Sequence, residues 1–338
     1  MSKTAKLCAI FFISTVWLVA MRILFGFLNL SDNVSGWLFS FLVQVIGMGV
    51  IPITLFKFWV KEDVISGFSL KVKLPPVTYV LAIVLGFLVS YLNTGISVIW
   101  QSMLRLIGYT HVNSVGTIYS DAGVLVMELV TTALLPGIFE EITDRGLVLR
   151  MFKGIENEKL VIFLTAMLFG LAHQNVVQTG YTFVGGLIFA YLALKTKSIL
   201  PGMIIHFINN ALTVISGYSS QHSGFYTVAE NALYSFINNH FILAVISWVG
   251  VGFLIYSILK YIARVQPKEE SPEEDGEVFF FPSKLQYVDE LFGSGLKKDV
   301  AKPAVAKRSA WYEYAFLYGS VAVTVLTTLF TFMWGVWR

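Results

Sequence analysis

Long apolar runs, cut at intervals by short polar stretches, fill most of the chain from Leu7 onward. The hydrocarbon core of a bilayer takes about 20 apolar residues per helix. Nine segments meet or approach that length: residues 7–28, 36–60, 77–100, 122–143, 159–178, 180–195, 199–218, 240–262 and 310–335. The sixth is the shortest. No strand-like alternation of polar and apolar positions appears, so helices rather than a barrel must satisfy the backbone inside the membrane. The pattern predicts an all-α polytopic membrane protein with about nine transmembrane helices.

Composition agrees with that pattern. Of the 338 residues 56% are hydrophobic and 13% charged, where a soluble domain carries about 25% charged residues. The single cysteine, Cys8, lies in the first apolar run and has no internal disulfide partner. That run follows Lys3 and Lys6, is longer than a signal-peptide core and lacks a small-residue cleavage site, so it is expected to stay as a span. The net charge of +3 says little, and the placement of charge says more. If the spans alternate in direction, all of the 24 lysines and arginines except Arg22, Arg105 and Arg338 fall on the side of the N-terminus. The positive-inside rule then puts the N-terminus in the cytoplasm and the C-terminus outside. A bacterial plasma membrane is the expected location.

Three regions follow. Residues 1–263 read as a membrane-embedded bundle. Residues 264–309 read as a cytoplasmic linker, acidic at "PKEESPEEDGE" and basic at "KKDVAKPAVAKR", with an aromatic-bearing "VFFFPSKLQYVDELF" between. The acidic part has the composition of disorder, and the basic part suits anionic lipid. Residues 310–338 carry a final C-terminal span. No internal repeat of the kind that builds many transporters is present.

Charge inside the spans is the sharpest signal, because an ionisable side chain at a bilayer centre costs roughly 2.5–3.5 kcal/mol. The run "GVLVMELVTTALLPGIF", residues 123–139, leads into "EEITDRG". Glu141 and Arg145 are four apart, share a helix face and can pair. Glu140 lies about 100° round the helix and is free of that pair. Pro136-Gly137 breaks the helix one turn earlier, which a membrane tolerates where backbone lines a site. Two more four-residue spacings follow, Phe169/His173 in "FGLAH" and His206/Asn210 in "HFINN". The assembled set is two carboxylates, two imidazoles and an amide. Desolvation beside another acid suits a carboxylate for general-base work, a histidine orients the water, and a second histidine with an amide stabilises an oxyanion. The same Glu140, His173 and His206 form a legitimate ligand set for a divalent metal such as zinc. Plainer roles exist for each: interhelical hydrogen bonding for His173, a headgroup anchor for Glu141/Arg145, packing for Glu128, and snorkelling or pairing within the bundle for Arg22.

In order, "EEITDR", "FGLAH" and "HFINN" resemble the motifs of the CPBP family of intramembrane endopeptidases, which includes the type II CAAX prenyl endopeptidases and bacterial Abi-type membrane proteases. The resemblance covers about residues 75–218 and implies an eight-helix bundle, with the last span added to it. It implies peptide-bond hydrolysis near the cytoplasmic face. Glu140 and His173 match the positions that activate water, Glu141 and Arg145 those that hold the helix, and His206 and Asn210 those that stabilise the oxyanion. A metal-free glutamate mechanism is the favoured form, with no cofactor. Asp144 departs from the pattern, which commonly has an aromatic there. It adds negative charge on the face of Glu140 or competes for Arg145.

The expected partners are the lipid bilayer and a membrane-associated peptide or protein substrate, with no nucleic acid. The alternative is a scaffold that keeps the bundle to bind a cell-envelope partner without proteolysis. The last span, the linker and Asp144 point toward that alternative, and the complete set of polar residues points away from it.

Overall fold

The structure, a computed structural model, describes residues 1–28, 32–70, 73–110, 116–152, 154–222, 224–267 and 311–337. Almost all of the linker expected at 264–309 lies outside the described residues, including its acidic and basic stretches.

The described chain is helical, with no strand. Ten helices carry the architecture: α1 Lys3–Leu28, α2 Asn33–Val60, α3 Pro76–Leu106, α4 Ala122–Met151, α5 Glu158–Ala172, α6 Val176–Thr196, α7 Leu200–His222, α8 Phe225–Asn239, α9 Phe241–Val265 and α10 Ala315–Trp337. All except α5 and α8 are long and apolar enough to cross a membrane, which makes eight candidate spans among the described residues. The protein is an all-α, multi-pass membrane protein. Helix α5 corresponds to the fifth of the nine apolar segments, 159–178. At 15 residues it is about 22 Å long, short of a hydrocarbon core of about 30 Å.

The break between α5 and α6 falls earlier than the apolar pattern places it. Residues 159–178 read as one span, yet the helix ends at Ala172 and the next begins at Val176. Gln174 takes a left-handed conformation, φ +50°, and the Asn175 side chain accepts from the Val177 N–H at 3.0 Å, capping α6. Gly180, inside α6, lets the Trp100 ring approach to 2.9 Å of where a Cβ would stand. Helix α6 is therefore a full 21-residue span.

The helix ends fall into two groups. At one end Glu62 pairs with both Lys3 and Arg150, and Lys195 pairs with Glu158. The Tyr314 hydroxyl donates to the Met151 carbonyl at that end. At the other end Thr110 donates to the Gly335 carbonyl through its backbone N–H and its hydroxyl, both at 2.8 Å. The last helix therefore runs the height of the bundle. It packs along α1, with the Phe12 and Phe316 rings 5.9 Å apart and Gly319 against the Phe12 ring. It forms part of the wall, not a loose appendage. Its buried Ser320, Thr324 and Thr328 satisfy themselves on carbonyls four residues back.

Helices α2 and α4 run parallel and are cross-linked along their length. Trp37 Nε1 donates to Glu128 Oε1 at 2.9 Å, Ser40 Oγ to the Thr131 carbonyl, Gln44 Nε2 to Glu140 Oε1 at 2.7 Å, and Thr143 Oγ1 to the Met48 carbonyl at 2.7 Å. Such bonds between membrane helices contribute about 0.6–2 kcal/mol each. Both helices contain π-helical turns, at Leu42–Val50 and Phe56–Val60 in α2 and at Leu129–Leu134 and Ile142–Val148 in α4. Widened turns of this kind re-aim side chains and recur at functional sites.

Candidate active site

The site is built around the middle of α4. Glu140 lies ten residues before Arg150 and twelve after Glu128, about 15 Å and 18 Å along the axis. Pro136 is accommodated at the start of the segment Leu135–Glu141. Gly137 brings α7 close: a Cβ there would stand 3.2 Å from the Phe207 backbone nitrogen. The next turn, Ile142–Val148, is π-helical and buried throughout.

Glu141 and Arg145 form a buried ion pair, Oε1 to Nη1 at 2.8 Å, with both side chains fully enclosed. The Arg145 guanidinium lies 4.2 Å from the Phe169 ring centre and 5.0 Å from that of Phe189. Its Nε and Nη2 have no hydrogen-bond partner among the described residues, so the aromatic faces hold the rest of the cation. The pair lies in the interior of the helix bundle. Gly202 of α7 makes room for the carboxylate, since a Cβ there would stand 2.9 Å from Glu141 Oε2.

His206 joins the two glutamates. Its Nδ1 lies 3.1 Å from Glu141 Oε1 and its Nε2 lies 3.8 Å from Glu140 Oε2. The ring stacks on Phe189, centroids 5.5 Å apart, and meets the edge of Phe169 at 5.8 Å. With one flat face stacked on Phe189 and Nδ1 beside the Glu141 carboxylate, the imidazole presents Nε2 toward Glu140.

Glu140 keeps some accessible surface, 14% of its side chain. Its Oε1 accepts from Gln44, and its Oε2 faces His206 beyond direct hydrogen-bond distance. His173 follows Phe169 by one turn. Its Nδ1 lies 2.8 Å from the Phe169 carbonyl, and its ring stands edge-on to the Phe169 ring at 5.0 Å. Glu140, His206 and Arg22 are all within electrostatic reach of it. Asn210 follows His206 by one turn on α7 and is half-buried. Glu140, Glu141, Arg145 and His206 thus come into direct contact or near contact, with His173 flanking them and Asn210 one turn beyond.

Asp144 is buried, close enough to Arg145, Glu140 and Glu141 to share their field, and its Oδ1 has no hydrogen-bond partner among the described residues. Glu128 is not part of the site. It is tied off by Trp37, Thr117 and Thr132, with donor distances of 2.9, 3.1 and 2.8 Å.

Among the described residues no three His, Cys, Asp or Glu side chains converge as a metal cage. Of the set Glu140, His173 and His206, Glu140 Oε2 and His206 Nε2 stand 3.8 Å apart, and the Phe169 carbonyl against His173 Nδ1 leaves Nε2 as the donor atom of that ring.

Two participants are hidden from sequence reasoning. Gln44 is neutral, so a search for charge inside spans passes over it. The available signal is an amide in an otherwise apolar stretch, one helical turn from Gly47. Arg22 is visible as an intramembrane cation, but its partner is not. Its Nη2 donates to the His173 carbonyl at 2.8 Å, across 151 positions of sequence.

Residues 122–212 match the family model described as Type II CAAX prenyl endopeptidase Rce1-like. No curated protein and no solved structure matches the chain. The matched segment holds Glu140, Glu141, Arg145, His173, His206 and Asn210 and leaves out Gln44 and Arg22.

Proposed function

We propose that the protein is an intramembrane endopeptidase, a reading supported by the match of residues 122–212 to the Rce1-like family model. It hydrolyses a peptide bond of a membrane-associated peptide or protein. The observation that carries the proposal is the division of labour on Glu140: Oε1 is held by Gln44, while Oε2 is directed at His206 Nε2 across 3.8 Å. A carboxylate fixed through one oxygen and open at the other is suited to general-base work.

The steps use the side chains alone. Water lodged against Glu140 Oε2, with His173 beside it, gives a proton to the carboxylate as its oxygen adds to the substrate carbonyl. Negative charge moves to the carbonyl oxygen, which accepts from a protonated His206 Nε2–H and from the Asn210 amide N–H. Glu140 then returns the proton to the leaving nitrogen, and the C–N bond breaks. Glu141 acts through His206 by holding Nδ1, and Arg145 holds Glu141.

The basic end of the bundle is assigned to the cytoplasm of a bacterial plasma membrane. With N- and C-terminal helix ends at opposite faces of the bundle, the C-terminus lies outside. Scission is assigned to the cytoplasmic half.

The test is a comparison of wild type and Glu140→Gln at matched membrane levels, reading new peptide termini in the membrane fraction by mass spectrometry. Termini that appear with wild type and vanish with the folded variant are expected. Identical termini, with full rescue of a deletion strain by Glu140→Gln, would replace the protease with the scaffold that binds a cell-envelope partner.

A further inference from the structure

The turn that carries His173 is held against its own preference. Gln174, the next residue, has a left-handed backbone, φ +50°, and is buried. A residue with a Cβ keeps that conformation only where its surroundings impose it. Local bonds supply part of the restraint. The Gln174 N–H donates to the Leu171 carbonyl at 2.9 Å, and the Asn175 side chain caps α6.

The rest comes from helices distant in sequence, which grip the break at both rims. Arg22 of α1 donates to the His173 carbonyl at 2.8 Å, and Trp100 Nε1 of α3 donates to the Val176 carbonyl at 2.7 Å. Between them the Thr331 hydroxyl of α10 stands 3.5 Å from the Gln174 carbonyl. Val176 is the first residue of α6. A carbonyl has two lone pairs, so it can take the indole N–H in addition to a helical one. The indole has room because Gly180 lies one turn further along the same face. A Cβ at Gly180 would stand 2.9 Å from Trp100 Cγ. Trp100 is thus fixed both by the shape of α6 and through its single polar donor. It belongs to none of the polar motifs and lies outside the matched residues 122–212.

We infer that Trp100 fixes the placement of the His173 imidazole against Glu140 and is thereby a positioning residue for the reaction. This role rests on the protease reading and deepens it. The link is short: only Gln174 and Asn175 separate His173 from Val176, and one is strained while the other is a cap. A shift in the first turn of α6 is therefore passed to the imidazole instead of being absorbed. The bond from His173 Nδ1 to the Phe169 carbonyl ties the ring to α5, and Trp100 ties the far side of the break to α3.

The experiment uses the full chain in nanodiscs and a quenched-fluorescent peptide spanning a site that wild type cuts. Trp100→Phe keeps an aromatic ring and removes the N–H. Gly180→Ala displaces the indole from the other side. Tyr91→Phe is the control, since it breaks a bond between α3 and Ser247 of α9 that does not touch the break. Melting temperature checks folding. In Trp100→Phe and in Gly180→Ala, kcat should fall about tenfold, the scale of one hydrogen bond, with KM within about twofold. Tyr91→Phe should keep wild-type kcat. In a His173→Ala background Trp100→Phe should cost nothing further, because residues that act through one another are not additive. The same loss in that background, a loss confined to KM, or an equal loss in Tyr91→Phe would overturn the positioning role and leave the protease. Histidine-nitrogen NMR of isotopically labelled protein, with His173 assigned by its absence from His173→Ala, reads the imidazole without turnover. Trp100→Phe should move the His173 signal and leave those of His222 and His240 in place. If wild type cuts no peptide, the protease reading fails, and this spectrum alone decides whether Trp100 sets the imidazole. An unmoved His173 signal overturns the inference in either case. If Trp100→Phe does not fold, Gly180→Ala takes its place in every comparison.

Discussion

Glu141 Oε1 is shared by two partners, lying 2.8 Å from Arg145 Nη1 and 3.1 Å from His206 Nδ1. A charge pair inside α4 is thereby coupled to the imidazole on α7. The pair reads in the sequence as a structural staple, and the geometry makes it the support of a candidate catalytic histidine.

Removing one member of that pair should be costly. Arg145→Met leaves the Glu141 carboxylate buried without its cation, and breaking a buried pair costs about 3–5 kcal/mol. The double variant Arg145→Met/Glu141→Gln should lose less than the sum of the two single losses. Melting of the three variants in detergent measures the coupling, and simple additivity would show that the pair is energetically idle.

Gln44 is a positioning residue for Glu140. Gln44→Ala frees Glu140 Oε1, and Gln44→Glu replaces the donor with a second carboxylate. Peptide cleavage should fall by about tenfold in the first, the scale of one hydrogen bond to a charged group, and further in the second. The loss should appear in kcat more than in KM. Glu140→Gln should fall by roughly a hundredfold to ten-thousandfold, the span of general-base contributions.

Gly202→Ala is a steric probe of the same support. Its new Cβ would stand 2.9 Å from Glu141 Oε2, so the carboxylate must shift from His206. Overpacking of this kind costs about 1–3 kcal/mol. Cleavage should weaken together with melting temperature, whereas an alanine at Gly250, which meets nothing within 4 Å, should leave both in place.

Acid should loosen the ends of the two helices that carry Glu140 and Gln44. The Asp32 carboxylate is held below the ordinary aspartate range by the Ser35 side chain and backbone, and Asp121 by the Ser120 side chain and the Val124 and Gly123 backbone. A carboxylate whose folded value is depressed stabilises the fold above its unfolded value. That stabilisation is lost as pH falls through the folded value. Melting temperature should therefore decline across the acidic carboxylate range. The decline should be shallower in Asp32→Asn/Asp121→Asn, because asparagine caps without titrating.

Charge and periodicity make α4 legible in the sequence. Glu141 and Arg145, four apart, have to share a face, and Glu140 has to lie off it. The long spans are equally plain, because hydropathy records membrane residence directly. Neighbour relations are not, since periodicity gives a helix its faces but not the helices those faces meet. Nothing in "LVQVIGMGV" says that Gln44 reaches Glu140, or that α2 runs parallel to α4. The break at His173–Asn175 is misplaced by the apolar pattern for a local reason: the stop is made by a left-handed Gln174 and an Asn175 cap, not by a gap in hydropathy. The last span reads as an addition, yet the Phe12/Phe316 contact and the Thr110/Gly335 bonds build it into the wall.

The parallel seam between α2 and α4 also sets a limit on modularity. The segment that carries every motif residue, 122–212, is not a portable unit, because the amide that holds Glu140 is borrowed from a helix 96 positions upstream. Grafted onto a foreign bundle, it would bring its glutamates and histidines and leave their alignment behind. Swapping residues 33–60 between relatives should accordingly alter turnover even where every motif is identical.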